Sequence, residues 1–416
     1  MKDSGLTSGS YSTYGQYVLW ISSVLMLLSV CCFEWMYTTF GKVALGSDIK
    51  IALLLFTHMC FFSIFQLFSG VLVDHYGSRL MLPIAALFVF VGMLLQIHTH
   101  EHNFPLMVII SQSFLTFGSS FGFIGIGYLS YGFFRKSLAG VMFGIAQMMY
   151  SIFYSLSWYV SVYYDAFLKF NFSFIVWSVA VFQFIVSVMI LCTARDPEAY
   201  EFRGGSIGFL ETVRSIVRVT TMPNVLTISL IGGMEFGLFF SVAGVLLHKT
   251  NGEIGTVASV YAWVGFALGS PCACFLYSLL RKGREYIFSV SGLMQGLSLL
   301  CLMMLPIQDG IVAGGFVWDN SFYYLLTALF GFFSGGHMIA FTLGSDMALA
   351  GALTTYCAIV NGFMCLLSGA IVLGLTALAR YHSLADLLLV TAIIAVLYYG
   401  LLGLVLHSKA ARSKLC

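Results

Sequence analysis

Twelve long, almost uncharged apolar runs constrain this chain more than any other feature. A bilayer core takes about 20 apolar residues of helix to cross. The runs fall at 17–40, 50–73, 80–98, 105–132, 139–163, 172–193, 222–248, 255–280, 286–305, 321–344, 353–378 and 385–407. None alternates with period 2, so they read as helices rather than barrel strands. A helix satisfies its backbone hydrogen bonds within one segment, as lipid demands. The expected fold is therefore an all-α membrane protein with twelve transmembrane helices. The composition leaves little alternative: 9% of residues are charged, against about 25% in a soluble domain. The first run is too long for a cleaved signal peptide and lacks a small-residue cleavage site.

Basic residues set the orientation. Fourteen of the 19 Lys and Arg lie on the side of the termini, including Arg79, Arg135, Arg195, Arg214, Arg218 and Arg281. The other five are Lys42, Lys50, Lys169, Lys249 and Arg380. The positive-inside rule then places both termini in the cytoplasm, which requires an even number of spans. The net charge of +2 follows from this topology and suggests no nucleic-acid partner. The ten cysteines sit mostly inside apolar runs and are read as small buried thiols, not as a disulfide framework or metal site. His98, His100, Glu101 and His102 are read as a solvated outer loop, since their spacing fits no defined ligand set. No metal or cofactor is expected.

The longest polar stretch divides the chain six plus six. It gives a tail at 1–16, a bundle at 17–193, a linker at 194–221, a second bundle at 222–407 and a tail at 408–416. Ile207 to Val219 in the linker has the pattern of a short amphipathic helix on the membrane surface. Three landmarks recur across the divide: Glu34 with Glu235, Asp74 with Ser278, and Leu138-Ala139-Gly140 with Leu349-Ala350-Gly351. Their similar offsets, about 200 residues, indicate two parallel repeats with a site between them.

Glu34 and Glu235 are the carboxylates deepest in the runs. A charge at mid-bilayer costs about 2.5–3.5 kcal/mol even on a lenient scale, so each should face a cavity or a partner. The two are expected to converge on a central cavity, to hold a proton there, and to release it as the cavity opens. One of them could instead bind a substrate amine. His58 and His337 are read as helix-to-helix hydrogen bonders, with His337 kept as a proton-site candidate. Gln66, Gln112, Gln147 and Asn361 are candidates for the cavity wall. Tyr150, Tyr154 and Trp158 share one face of the fifth run, and Tyr37 lies one turn from Glu34. Glycine pairs at Gly140/Gly144, Gly265/Gly269, Gly118/Gly122, Gly233/Gly237 and Gly331/Gly335 mark close helix approaches.

The segment Gly70-Val71-Leu72-Val73-Asp74-His75-Tyr76-Gly77-Ser78-Arg79 resembles the signature loop of the major facilitator superfamily. Gly70, Asp74, Gly77 and Arg79 match that pattern; His75 and Ser78 stand where basic residues are usual. Phe133-Phe134-Arg135-Lys136-Ser137-Leu138-Ala139-Gly140 with Gly144 is similar to the segment after the family's fourth helix. The second-half counterpart, Ser278 to Arg284, keeps basic residues but lacks the acid. The resemblance implies two pseudo-symmetric six-helix bundles and an alternating-access carrier. It implies a small-molecule substrate, a monomer in lipid, and a cytoplasmic gate built on Gly70, Asp74, Gly77, Arg79 and Arg135. There Asp74 would accept from a helix N-terminus or a cation, and Arg79 would pair with a carboxylate or lipid phosphate.

Phe33-Glu34-Trp35, Gly118 to Gly127 and Asn361-Gly362-Phe363 resemble a bacterial branch of small-nutrient and amino-acid carriers, distantly similar to the lysosomal dipeptide carrier. Thr38 replaces a basic residue frequent in that branch. The resemblance implies a bacterial inner membrane and uptake of an amino acid or similar small nutrient; the polar and aromatic positions inside the runs make Glu34, Glu235, Tyr37, Gln147, Tyr150, His337 and Asn361 the candidate substrate and proton site of proton-coupled uptake. An anion exchanger or export carrier is the alternative within the superfamily, although no Lys or Arg lies mid-span. A non-transporting sensor is the alternative class. An enzyme is disfavoured, since neither a nucleophile–base pair nor an HExxH motif is present, and the lack of a P-loop disfavours ATP-driven transport.

Overall fold

The computed structural model describes residues 13–40, 48–102, 105–164, 172–197, 209–222, 225–247, 253–280, 285–304, 320–347, 352–378, 381 and 384–412. Among the described residues six helices make the first half: α1 (Thr13–Phe40), α2 (Asp48–Tyr76), α3 (Ser78–His102), α4 (Pro105–Phe133), α5 (Lys136–Tyr163) and α6 (Phe172–Thr193). A short helix, α7 (Phe209–Thr220), follows. The second half has α8 (Val225–Ser241), α9 (Glu253–Leu279), α10 (Glu285–Met304), α11, α12 (Leu353–Leu378) and α13 (Leu384–Arg412). Helix α8 ends in a π turn over Val242–Leu246. Helix α11 runs over Asn320–Ser334, tightens to a 3₁₀ turn at Gly335–Met338 and resumes at Ile339–Met347.

Ten of these helices are long and apolar enough to cross a membrane, and α10 and α13 carry the shorter apolar segments Tyr286–Leu302 and Leu389–Gly400. The described residues are thus nearly all helical, and the protein is a multi-pass membrane protein consistent with the expected twelve spans. Edges shift by a few residues: α1 begins at Thr13 and α13 continues to Arg412.

Helix α6 shows how the apolar runs settle. Val176, Ala180, Gln183, Val186 and Ile190 form its buried stripe, spaced as one helical face. Phe174, Trp177, Val181, Phe184, Ile185, Val188 and Leu191 are exposed around it, which suits a lipid-facing surface.

Within the first half α3 packs on α4 and α6, and α1 on α6; within the second, α10 packs on α11 and α13, and α8 on α12. The two most extensive contacts between halves are α5 with α9 and α2 with α12. Exchanging the halves turns the fifth–eighth span contact into the eleventh–second. The pairings therefore carry the pseudo-twofold expected from the repeats.

Each half is also tied by buried polar side chains. Gln183 on α6 meets Ser29 on α1 and donates to the Ala86 carbonyl on α3 at 3.2 Å. Tyr399 on α13 donates to the Ile231 carbonyl on α8 at 3.1 Å, and its own carbonyl accepts from Ser289 on α10 at 2.9 Å. In hydrocarbon such bonds fix helix register because no water competes for them.

The glycine pairs face different partners. Gly144 does face the other half: a Cβ there would lie 2.9 Å from Pro271 Cα. Gly265 and Gly269 instead face α11, against the Ala328 and Phe332 carbonyls, and Gly331 on α11 meets the Ala262 carbonyl in return. These glycines knit α9 to α11 within one half. The α5–α9 seam is made by Gly144, by Ser155 donating to the Val260 carbonyl at 3.2 Å, and by Tyr154 stacked on Trp263 at 4.7 Å.

Candidate functional site

Glu34 and His58 come together. The His58 Nδ1 lies 3.3 Å from Glu34 Oε1, with side-chain exposures of 12% and 21% respectively. Gln112 on α4 contacts the same His58 nitrogen. Three helices of the first half thus meet at one polar centre. His58 sits ten residues into α2, about 15 Å from its start at 1.5 Å per residue. Phe62 stacks on the imidazole at 6.2 Å.

One turn before Glu34, the Cys31 thiol meets the Tyr150 side chain on α5. Tyr150 packs on Tyr154 at 4.9 Å, and both reach Trp263 on α9. A continuous path of side chains therefore runs from the Glu34 centre to the seam between halves. Gln147 is buried one turn from Ser151, whose Oγ lies 3.4 Å from its amide nitrogen. Tyr37 is on α1, but its side chain falls outside the described residues.

Glu235 has a separate neighbourhood. It is fully buried on α8, where Ser291 on α10 is the polar side chain facing it. The Glu235 carbonyl accepts from Gln295 at 2.8 Å, and Gln295 also donates to Ser334 at 2.9 Å. Gly336, in the 3₁₀ turn of α11, lies under both Ser291 and Glu235. His337 is in the same turn, with its Nδ1 3.0 Å from the Ser334 carbonyl. Its ring stacks on Phe266 at 5.0 Å and lies 5.2 Å from Phe236. The partner named for Glu34 belongs to the first half and that for Glu235 to the second, so each carboxyl has polar surroundings of its own. Asn361 lies elsewhere, on α12 next to Gly362, which packs against the Ser63 carbonyl of α2.

The loop between α2 and α3 forms a third arrangement. The Asp74 carboxylate accepts from Thr354 N at 3.1 Å, Thr355 N at 2.7 Å and Thr355 Oγ1 at 2.6 Å. It caps the first turn of α12, in the opposite half, where free N–H groups and the helix dipole favour an anion. Gly70 makes the approach possible: a Cβ there would lie 2.7 Å from the Thr354 carbonyl and 2.8 Å from Thr355 Cα. Beyond Tyr76 the chain turns at Gly77, whose φ of +79° is left-handed and suits glycine. Ser78 donates to the Arg195 carbonyl at 2.8 Å, and Arg79 N to Asp196 Oδ1 at 2.9 Å. Asp196 thus caps α3 as Asp74 caps α12. The Arg79 side chain is exposed; its backbone, rather than its guanidinium, makes the contact with Asp196. Arg135 is exposed at the N-cap of α5, and its carbonyl accepts from Leu138 N at 2.7 Å and Ala139 N at 3.0 Å. Phe341 of α11 also packs edge-on against Phe123 and Phe143 of the first half.

A family model described as Major Facilitator Superfamily matches residues 19–373. The chain belongs to this superfamily. Its solved structural relatives include the human organic anion transporter MFSD10, with a TM-score of 0.68 and 12% identity over 93% of this chain and 98% of that one. A POT family transporter in complex with a thioalcohol-conjugated peptide has a TM-score of 0.68 and 12% identity, covering 95% and 96%. The E. coli fucose:proton symporter FucP has a TM-score of 0.60 and 13% identity, covering 91% and 98%. At these identities the likeness speaks for the fold. No curated protein sequence matches the chain. Membership of a transporter superfamily places the protein among membrane transporters rather than enzymes.

His58 of this major facilitator protein bonds between helices as read from the sequence, and the structure names its partners, Glu34 and Gln112. Asp196, which sequence reasoning did not single out, caps α3; its place just after the end of α6 was the available signal. The triplet Leu349-Ala350-Gly351 and the basic group Arg281, Lys282 and Arg284 lie outside the described residues.

Proposed function

We propose that the protein is a secondary active carrier that takes up an amino acid or similar small polar metabolite together with protons, by alternating access. The observation that carries the reading is the Glu34–His58–Gln112 centre. A carboxyl and an imidazole at ion-pair distance share one proton in two ways, as an ion pair or as two neutral groups. A second proton leaves the pair with a net positive charge in apolar surroundings, which is costly unless a substrate group compensates. Proton and substrate occupancy are thereby linked. A substrate ammonium competes with His58 for Glu34, and a substrate carboxylate favours the doubly protonated pair.

Tyr37, Gln147 and Tyr150 are proposed to line the substrate path beside this centre, and Asn361 its wall on α12. Glu235 and His337 are proposed as a second proton-binding centre in the other half. Gly70, Asp74, Gly77, Arg79 and Arg135 form the proposed gate, cytoplasmic by the distribution of basic residues. The protein works on this reading as a monomer in a bacterial inner membrane, with both termini cytoplasmic, and rocking of the halves exposes the centre to either face.

The test is reconstitution in liposomes with an imposed pH gradient and a screen of labelled amino acids, dipeptides, nucleosides and organic acids. The expected result is inside-alkaline accumulation of one amino-acid-like class. Uptake of organic anions alone, or of nothing under any gradient, overturns the proposal.

A further inference from the structure

We propose that α7 is a docking site for anionic phospholipid headgroups, and that their binding strengthens the Asp74–α12 latch. Helix α7 packs on α2 and α12, the two helices that Asp74 joins across the halves. It therefore touches both sides of the latch. Val219 and Thr212 are buried on its inner face.

The outer face has an ordered composition. At about 100° per residue, the sequence around the helix is Ile216, Phe209, Thr220, Val213, Val217, Leu210, then Arg214 and Arg218, then Glu211. That is apolar with one threonine, then basic, then acidic. From acyl chains through phosphates to water, an anionic bilayer surface presents complementary zones in the same order. Leu210 is 72% and Val217 54% exposed, and Arg214 and Arg218 are exposed beside them. A face turned wholly to water would have no use for the two apolar residues. One buried in hydrocarbon could not carry the two arginines. Guanidinium groups pair well with phosphate oxygens, and the one-turn spacing of Arg214 and Arg218 lets both reach headgroups.

Each arginine near an anionic surface adds about fivefold to binding. Because α7 bridges the latch helices, part of that gain is transmitted to the latch-closed state. The test is hydrogen exchange of the peptide covering Leu353 to Tyr356, whose first amides bond Asp74. The protein is placed in nanodiscs of phosphatidylcholine alone or with one-quarter phosphatidylglycerol. Exchange is expected to slow at least about threefold with phosphatidylglycerol. The slowing should vanish in the R214Q/R218Q double variant and persist in R214K/R218K. Equal exchange in both lipids overturns the proposal. So does slowing that survives in the glutamine variant, or that is lost in the lysine variant.

Discussion

Replacing Asp74 by Asn keeps the side chain's size and removes its charge. In the native structure the carboxylate accepts three hydrogen bonds, from Thr354 N at 3.1 Å, Thr355 N at 2.7 Å and Thr355 Oγ1 at 2.6 Å. An Asn carbonyl can still accept one of the two backbone bonds, but its NH₂ group then faces the other N–H. Losing one charged bond and weakening the rest costs about 2–3 kcal/mol, in line with the ~0.5–2 kcal/mol of an ordinary N-cap plus its dipole term. The joined partners belong to different halves, so this falls on the equilibrium between latch-closed and latch-open states. It corresponds to a shift of roughly 30- to 150-fold toward opening. Hydrogen exchange of the Leu353–Tyr356 peptide in D74N, in phosphatidylcholine nanodiscs, reads it directly. Exchange should accelerate at least about tenfold, while peptides of α6, remote from the latch, stay unchanged. Acceleration below about twofold refutes the claim that this carboxylate holds the two halves together.

Other predictions probe the packing that supports the site. Gly77→Ala puts a side chain at φ +79°, costing about 1–2 kcal/mol. It also drives a Cβ to within 2.7 Å of Asp196 Cγ. The melting temperature in detergent should fall, and an unchanged value counts against the turn as described. Trp263→Ala removes a fully buried ring stacked on Tyr154 at 4.7 Å; a loss of about 3–5 kcal/mol should appear as thermal destabilisation. Gly265→Leu places carbon 2.8 Å or less from the Ala328 carbonyl carbon, so the variant should fail to yield monodisperse protein. A normal gel-filtration profile would contradict the α9–α11 contact.

Fold and latch were largely legible in the chain because lipid leaves few choices. Long runs with 9% charged residues can only be helices, and glycines at positions 70 and 77 with an acid at 74 state their turn chemistry outright. The pairing of His58 with Glu34 was not legible. The two are 24 residues apart on different helices, and no local pattern reports which faces meet after packing. A spacing of 201 residues likewise relates Glu34 to Glu235 without naming their neighbours. Repeats keep depth and helix number, but which face a residue presents depends on what packs there. Ser291 on α10 faces the Glu235 carboxyl, while Gln295 binds the Glu235 backbone carbonyl. For the same reason the glycine spacing of α9 marks a close approach without saying to which helix.

Proton movement through the Glu34–His58 centre is the central claim, and a pH-sensitive dye inside liposomes measures it most directly. With the transported solute added outside, wild-type protein should acidify the lumen. Glu34→Gln should abolish acidification yet retain exchange of labelled for unlabelled solute, and His58→Gln should shift or abolish the same signal. Acidification at the wild-type rate in both variants would contradict the account.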